Sequence, residues 1–271
     1  MPDAARETYL HGHHESVLRS HRWRTAENSA SYLLPDLRPG MTLLDVGCGP
    51  GTITVDLARR VAPGKVIGLD AVAEPLELAR GAAADAGIDT VEFVVGDAYA
   101  LPYPDDTFDV VHAHQVLQHL GDPVAALREM GRVCRPGGIV AARDSDYGAK
   151  TWYPPDPRLD RWNVLYHELA RATGGEPDAG RRMLAWAHAA GFREVTATAS
   201  AWCFATPADR DWWGGLWADR VTSSAFADQA LASGASTRAE LASIAEAFRE
   251  WAGQDDGWYL VVHGEIRCRM T

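Results

Sequence analysis

Several things are scarce or missing in this chain, and each absence removes a class of protein. Cysteine is one: Cys48, Cys134, Cys203 and Cys268 lie far apart with no Cys-x-x-Cys pair. That pattern fits neither a zinc site nor a small disulfide scaffold, and reduced thiols are the expectation. No run of roughly eighteen apolar residues occurs, and Met1 to Leu10 lacks the apolar core of a signal peptide. We therefore expect no membrane span and a cytoplasmic protein. Positive charge is in deficit, with a formal net charge of −11, and this opposes binding to a phosphate backbone, where Lys and Arg supply most of the affinity. Nucleic acid is disfavoured as a partner. Metal-ligand spacing is missing too, because His11-x-His13-His14 has no Cys or carboxylate cluster beside it. Internal repeats and low-complexity tracts are absent.

What remains is an ordinary globular composition, 46% hydrophobic and 23% charged over 271 residues, enough for one large α/β unit with a cover. The chain is organised around Leu43 to Thr52. Leu43, Leu44 and Val46 form a strand-like run, and Gly47, Gly49 and Gly51 follow where a backbone must turn tightly beneath a ligand. The next helix, expected from Ile53 to Val61, directs its N-terminal amides at that ligand.

Around this stretch the periodicity alternates. Strands are expected at Thr42 to Val46, Lys65 to Asp70, Val91 to Val95, Phe108 to His112 and Gly138 to Ala142, and helices at Ile53 to Val61, Ala73 to Ala86 and Pro123 to Val133. Such alternation implies parallel strands with right-handed crossovers, a doubly wound sheet with its ligand beyond the carboxyl ends of the strands. Two short helices are expected between Tyr9 and Pro35. After the fifth strand, Asp144 to Pro157 reads as a loop, Leu159 to Thr173 and Arg181 to Ala190 as helices, and Glu194 to Phe204 as a strand. Asp209 to Trp251 reads as helical with exposed-looking aromatics, and Trp258 to Met270 as a last strand. The expected division is a helical cap over 1–39, a cofactor-binding core over 40–145 and a helical insertion over 146–190. The last two strands follow over 191–271, with a lid insertion near 207–257.

Three carboxylates fall at successive strand ends. Asp45 precedes Gly-x-Gly-x-Gly, whose third glycine is Gly51 rather than residue 52, so the pattern departs from the dinucleotide fingerprint. A negative charge there is expected to favour a cationic ligand group such as an ammonium or sulfonium. Asp70, 19 residues beyond Gly51, can accept hydrogen bonds from both hydroxyls of a ribose. Asp97, after Gly96, can accept from an exocyclic adenine amine while the Ala98 amide donates to a ring nitrogen. Together they call for an adenosine.

These residues resemble the class I S-adenosylmethionine-dependent methyltransferases. Asp45-Val46-Gly47-Cys48-Gly49-Pro50-Gly51, Gly68-Leu69-Asp70, Gly96-Asp97-Ala98, Phe108-Asp109-Val110-Val111, Val116-Leu117-Gln118-His119-Leu120 and the run from Leu127 to Gly138 stand in that family's order. The chain looks similar to the ubiquinone/menaquinone biosynthesis C-methyltransferase branch, with the match covering about residues 40 to 143. The resemblance implies a seven-stranded, mostly parallel sheet ordered 3-2-1-4-5-7-6, with S-adenosylmethionine as cofactor and S-adenosylhomocysteine as product. It implies that Gly47, Cys48 and Gly49 cradle the methionine part, Asp70 and Ala71 hold the ribose, Gly96, Asp97 and Ala98 take adenine, and Gln115 lies beneath the sulfonium. Arg24 would pair with the methionine carboxylate.

The acceptor would be a small molecule, methylated on carbon or oxygen as a phenolic, quinol-like or other natural-product substrate. A base then has to remove a proton, and His114 is the first candidate, with His14 and Tyr9 next. His119 reads as a packing histidine. Trp202, Trp212, Trp213 and Trp217 read as core or as the lining of an aromatic pocket. A non-catalytic adenosine-binding module and a nicotinamide-dependent oxidoreductase are the alternatives, although the third glycine and the Tyr-x-x-x-Lys dyad of the latter are not found. Oligomeric state is open, with a homodimer among the options.

Overall fold

The computed structural model describes residues 15–271. In chain order the elements are α1 (Glu15–Arg22), α2 (Ala26–Ser29), a 3-10 turn (Leu34–Asp36), β1 (Leu43–Val46), α3 (Thr52–Val61), β2 (Val66–Asp70), α4 (Glu74–Asp85) and β3 (Val91–Val95). They continue with β4 (Phe108–His114), a 3-10 turn (Leu117–His119), α5 (Pro123–Val133), β5 (Cys134–Tyr153), α6 (Pro157–Ala172), α7 (Ala179–Ala190) and β6 (Glu194–Phe204). The chain closes with α8 (Pro207–Ser223), α9 (Ala225–Ala232), α10 (Arg238–Ala252) and β7 (Trp258–Arg269).

The seven strands form one sheet in the order β3-β2-β1-β4-β5-β7-β6. β1 pairs in parallel with β2 and β4, while β7 runs antiparallel to both β5 and β6. β1 is buried along its whole length, because helices cover both faces, as a parallel sheet requires. On one face Leu33, Leu43, Leu57, Val61 and Ile139 pack together, and on the other Leu44, Leu127, Met130, Met183 and Ile266 do so. A third core lies beyond the sheet, where Trp162, Trp217, Phe226 and Phe248 join α6, α8, α9 and α10 to the ends of β6 and β7.

Four expectations are corrected. The region from Asp144 to Tyr153 is strand, not loop: Ser145 pairs with His263, and Thr151 to Tyr153 pair with Leu260 to Trp258. Its aspartates are buried with partners, since Asp144 accepts from the Gln118 amide at 3.3 Å and Asp146 is clasped by Arg181 at 2.5 and 2.7 Å. β4 extends to His114, so His114 is the last residue of the strand. The long helix of the C-terminal third is three helices, broken where the side chains of Ser224 and Thr237 accept the Phe226 and Glu240 amides as N-caps. Its aromatics are largely interior: Trp213, Trp217 and Trp251 are buried. The N-terminal helices do precede Pro35, but a 3-10 turn then runs through it.

Candidate active site

The turn after β1 has the backbone its glycines allow. Gly47, Gly49 and Gly51 have φ of 68°, 53° and 75°, a region in which side chains are strained. Space is short as well, since a Cβ on Gly47 would stand 2.3 Å from Val116 Cγ2 and one on Gly51 2.7 Å from Ala79 Cβ. The loop is held from below by Asp70 at the end of β2, whose carboxylate accepts the Gly49 amide at 2.9 Å and the Val72 amide at 3.2 Å. Gly96 is required where β3 ends, because a Cβ would lie 2.5 Å from Leu69 Cδ1. Asp97 is exposed and accepts the Tyr99 amide at 2.8 Å.

These strand ends open into a cavity of about 850 Å³. Every expected site residue within the described part of the chain lines it: Arg24, Gly47, Cys48, Gly49, Asp70, Ala71, Gly96, Asp97, Ala98, His114 and Gln115, with Asp45 at its floor. Tyr9 and His14 lie outside the described residues.

Asp45 is placed differently from the expectation. Its carboxylate is buried and both oxygens are engaged, one by Thr54 Oγ1 at 2.6 Å and the other by His112 Nδ1 at 2.8 Å. It braces β1 against α3 and β4 beneath the loop, so its pairing to these neighbours takes precedence over direct contact with a cationic ligand. Cys48 lies close by, and burial followed by the charges of Asp45 and Asp70 pushes its thiol pKa far up, which leaves it an unreactive lining group.

Gln115, just after β4, has a positive φ of 54°, a strained conformation for a residue with a side chain. Its Oε1 accepts from Arg24 Nη2 at 2.7 Å, and its Nε2 donates to Ser145 Oγ at 2.8 Å and faces His263 Nε2 at 3.0 Å. Arginine has only donors, which fixes the orientation of the amide. An N-terminal segment is thereby tied to β4, β5 and β7 at one point.

His114 sits beside this junction, its ring 5.9 Å from that of Trp202 and 6.4 Å from that of His263. Burial, reinforced by the nearby charges of Arg24 and Arg143, pulls its pKa well below the usual histidine value. The ring is neutral at pH 7, and neither nitrogen has a hydrogen-bond partner among the described residues. The ring lines the cavity as a neutral imidazole, and the burial and cations that keep it neutral also make it a weak base.

The far wall is aromatic. Trp23, Trp202 and Trp212 pack around one another with Trp23 ring centroids 5.1 and 5.2 Å from the other two, and Trp213 stacks on Phe204 at 4.3 Å. The four tryptophans singled out in the sequence are therefore both core and lining.

One residue here was missed. Lys150 lines the cavity with only 8% exposure. Its amine lies 2.9 Å from the Tyr147 ring centroid and 5.5 to 5.7 Å from Trp162, Tyr166 and Trp217. Burial, and then the charge of Arg220, pulls its pKa well below that of an ordinary lysine. A signal was present in the composition: of 26 basic residues only Lys65 and Lys150 are lysines. Lys65 is exposed.

The sheet order, the glycine turn and the acids at successive strand ends define a class, and comparison with known proteins supports it. A family model described as "Methyltransferase domain" matches residues 37–204. The chain belongs to this family and is an S-adenosylmethionine-dependent methyltransferase. It is 37% identical over 269 residues to an uncharacterized methyltransferase, C1B3.06c, of Schizosaccharomyces pombe, covering 95% of each chain. It is 38% identical over 127 residues to the demethylmenaquinone methyltransferase of Lactococcus lactis, a stretch of 46% of this chain and 50% of that one. Among solved structures, the YcgJ protein of Bacillus shares the fold with a TM-score of 0.58 at 20% identity, over 90% of this chain and 99% of the other.

The residues present suit an adenosyl sulfonium. Asp70 and Asp97 can accept from ribose hydroxyls and an adenine amine, and the left-handed turn that the glycines allow brings the backbone of Gly47 and Gly49 to the cavity wall.

Proposed function

We propose that this methyltransferase transfers the methyl group of S-adenosylmethionine to carbon or oxygen of a small planar acceptor, phenolic or quinol-like. The observation that carries the reading is the shared cavity, in which the strand-end acids and a wall of tryptophans face one another. In this assignment the Gly47 to Gly51 loop and Arg24 hold the methionine portion, Asp70 and Ala71 the ribose, and Gly96, Asp97 and Ala98 the adenine. Gln115 lies beneath the sulfonium. The acceptor stacks on Trp202 and Trp212, since flat rings gain from offset and edge contacts. The Lactococcus relative is a demethylmenaquinone methyltransferase, which supports an acceptor of quinol type.

Methyl transfer from a sulfonium is an in-line displacement, and the chain's contribution is to align nucleophile, methyl and sulfur in a water-poor space. His114 takes the proton of the reacting atom.

Calorimetry with S-adenosylhomocysteine tests the cofactor half. Asp70→Ala removes both ribose acceptors and the clasp on Gly49, and affinity falls by roughly 30-fold or more; unaltered binding would sink this assignment. With an acceptor in hand, His114→Ala lowers turnover by about 100-fold at the general-base level, and an undiminished rate would remove His114 from the mechanism.

A further inference from the structure

Three acids, two arginines and one lysine line the cavity, and they are not mixed. Asp45, Asp70 and Asp97 lie at the ends of β1, β2 and β3, whereas Lys150 and Arg220 belong to the side built from β5 and α8, with Arg24 between the two sides. No carboxylate lines the lid side of the cavity among the described residues.

Lys150 is set there by the backbone. Between Asp146, which pairs with Val262, and Thr151, which pairs with Leu260, five steps along β5 span two along β7. The extra residues bulge from the ladder, a device common beside active sites. The bulge is pinned at three successive amides: Tyr147 donates to the Pro177 carbonyl at 3.0 Å, Gly148 to Asp178 at 2.7 Å and Ala149 to Asp146 at 3.0 Å. A Cβ at 148 would lie 2.7 Å from Asp178 Oδ1 and 2.8 Å from Arg181 Nη2, so any side chain there displaces both. So constrained, the strand aims Lys150 among Tyr147, Trp162, Tyr166 and Trp217.

The nearest acid is already taken, since Asp146 is clasped by Arg181. On the same side Arg220 is turned to Ser20 Oγ at 3.0 Å and repels a second cation. Aromatic faces attract an ammonium but accept no strong hydrogen bond from it. Among the described residues no hydrogen-bond acceptor meets this amine, which leaves it able to pair with an acidic group that arrives from the cavity it lines.

We propose that Lys150 selects the acceptor by an acidic oxygen, a phenol, enol or carboxylic acid, held as an ion pair with the lysine. The inference rests on the reading of the tryptophan-lined half as the acceptor site. On entry the O–H bond of the acceptor breaks, its electron pair stays on oxygen, and the proton forms an N–H bond on the amine, giving phenolate or carboxylate beside ammonium. His114 is left to handle the proton of the atom that receives the methyl group.

The probe is 4-nitrophenol, whose ionised form has its own visible absorption, with 4-nitroanisole as the neutral counterpart. Both are titrated into the full chain saturated with S-adenosylhomocysteine, below the pH at which the free probe ionises. The wild type is expected to bind 4-nitrophenol as phenolate and about 30-fold more tightly than the anisole, the scale of a buried charge pair. Lys150→Met abolishes the phenolate band and the preference while retaining S-adenosylhomocysteine, and Lys150→Arg keeps the preference. With two lysines in the sequence, protein labelled with 13C-lysine gives one Cε resonance assignable by its loss in Lys150→Met. That resonance moves to the ammonium position when 4-nitrophenol binds. No phenolate band at millimolar probe, equal binding of the anisole, or a band that survives in Lys150→Met overturns the proposal. Failure to bind S-adenosylhomocysteine overturns the cofactor reading instead, so the two fail separately.

Discussion

A primary amine enclosed by aromatic rings lowers stability at neutral pH, because the unfolded chain keeps it charged and hydrated. Its pKa in the fold lies well below 10.5, so the unfolded state binds more protons and stability rises as pH climbs toward the ordinary lysine value. Lys150→Met should therefore raise the melting temperature at pH 7 by a few degrees, equivalent to about 1–2 kcal/mol. The variant should also lose the part of the alkaline slope that Lys150 contributes as pH rises toward the ordinary lysine value of 10.5. Thermal unfolding of both proteins across that range is the check, and a less stable variant with an unchanged slope would contradict it. Residue by residue, Asp70 and Asp97 were legible because the ends of parallel strands converge, which brings carboxylates distant in sequence onto one cavity. Asp45 was misread: its position was visible, but Thr54 and His112 as the owners of its two oxygens were not. Lys150 was overlooked because nothing in local periodicity shows that a lysine after Gly148-Ala149 points inward.

Among the elements, the β1 turn and the β5 bulge depend on glycines for different reasons. Gly51→Ala forces a side chain into the left-handed region and onto Ala79. We expect a loss of roughly 1–3 kcal/mol in stability together with weaker S-adenosylhomocysteine binding. Gly148→Ala disturbs the Asp178 clasp instead. It should lower the melting temperature by a similar amount but leave cofactor affinity within about twofold, since Gly148 is remote from the loop. Calorimetry on the pair distinguishes the two, and weakened cofactor binding in Gly148→Ala would contradict the separation. The alternating βα pattern was easy to read because each crossover helix shows a one-sided apolar stripe against polar turns. β5 was cut short because its second half carries Asp144, Asp146 and Gly148, residues of loops by composition. Here the aspartates are buried and bonded, and β7 supplies the ladder from more than a hundred positions away in sequence. Of the two breaks in the C-terminal third, the first is marked only by Ser224, a weaker stop signal than Gly or Pro, whereas the second is marked by Gly234, whose φ of 71° ends α9.

For the molecule as a whole, burying neutral histidines makes the fold sensitive to acid. His114 and His263 are held well below the usual histidine value chiefly by burial, and His119 is pushed down to about 3. The unfolded chain gains these protons near pH 6.5 while the folded one does not, so stability is lost as pH falls through that point. The melting temperature should drop between about pH 7 and 5, and His114→Phe together with His263→Phe should flatten the drop. A slope unchanged in the double variant would locate the acid sensitivity elsewhere. The division of charge across the cavity has a consequence for turnover. On the proposed assignment the reactants enter as a sulfonium above Gln115 and an anion beside Lys150. One chemical step carries a positive charge from the first side to the second, leaving a neutral thioether and a neutralised acceptor. Where the anionic oxygen is itself methylated, the product no longer matches the ammonium of Lys150, so the reaction loosens its own product and gives the cavity a direction: it retains what can still react and lets go of what already has.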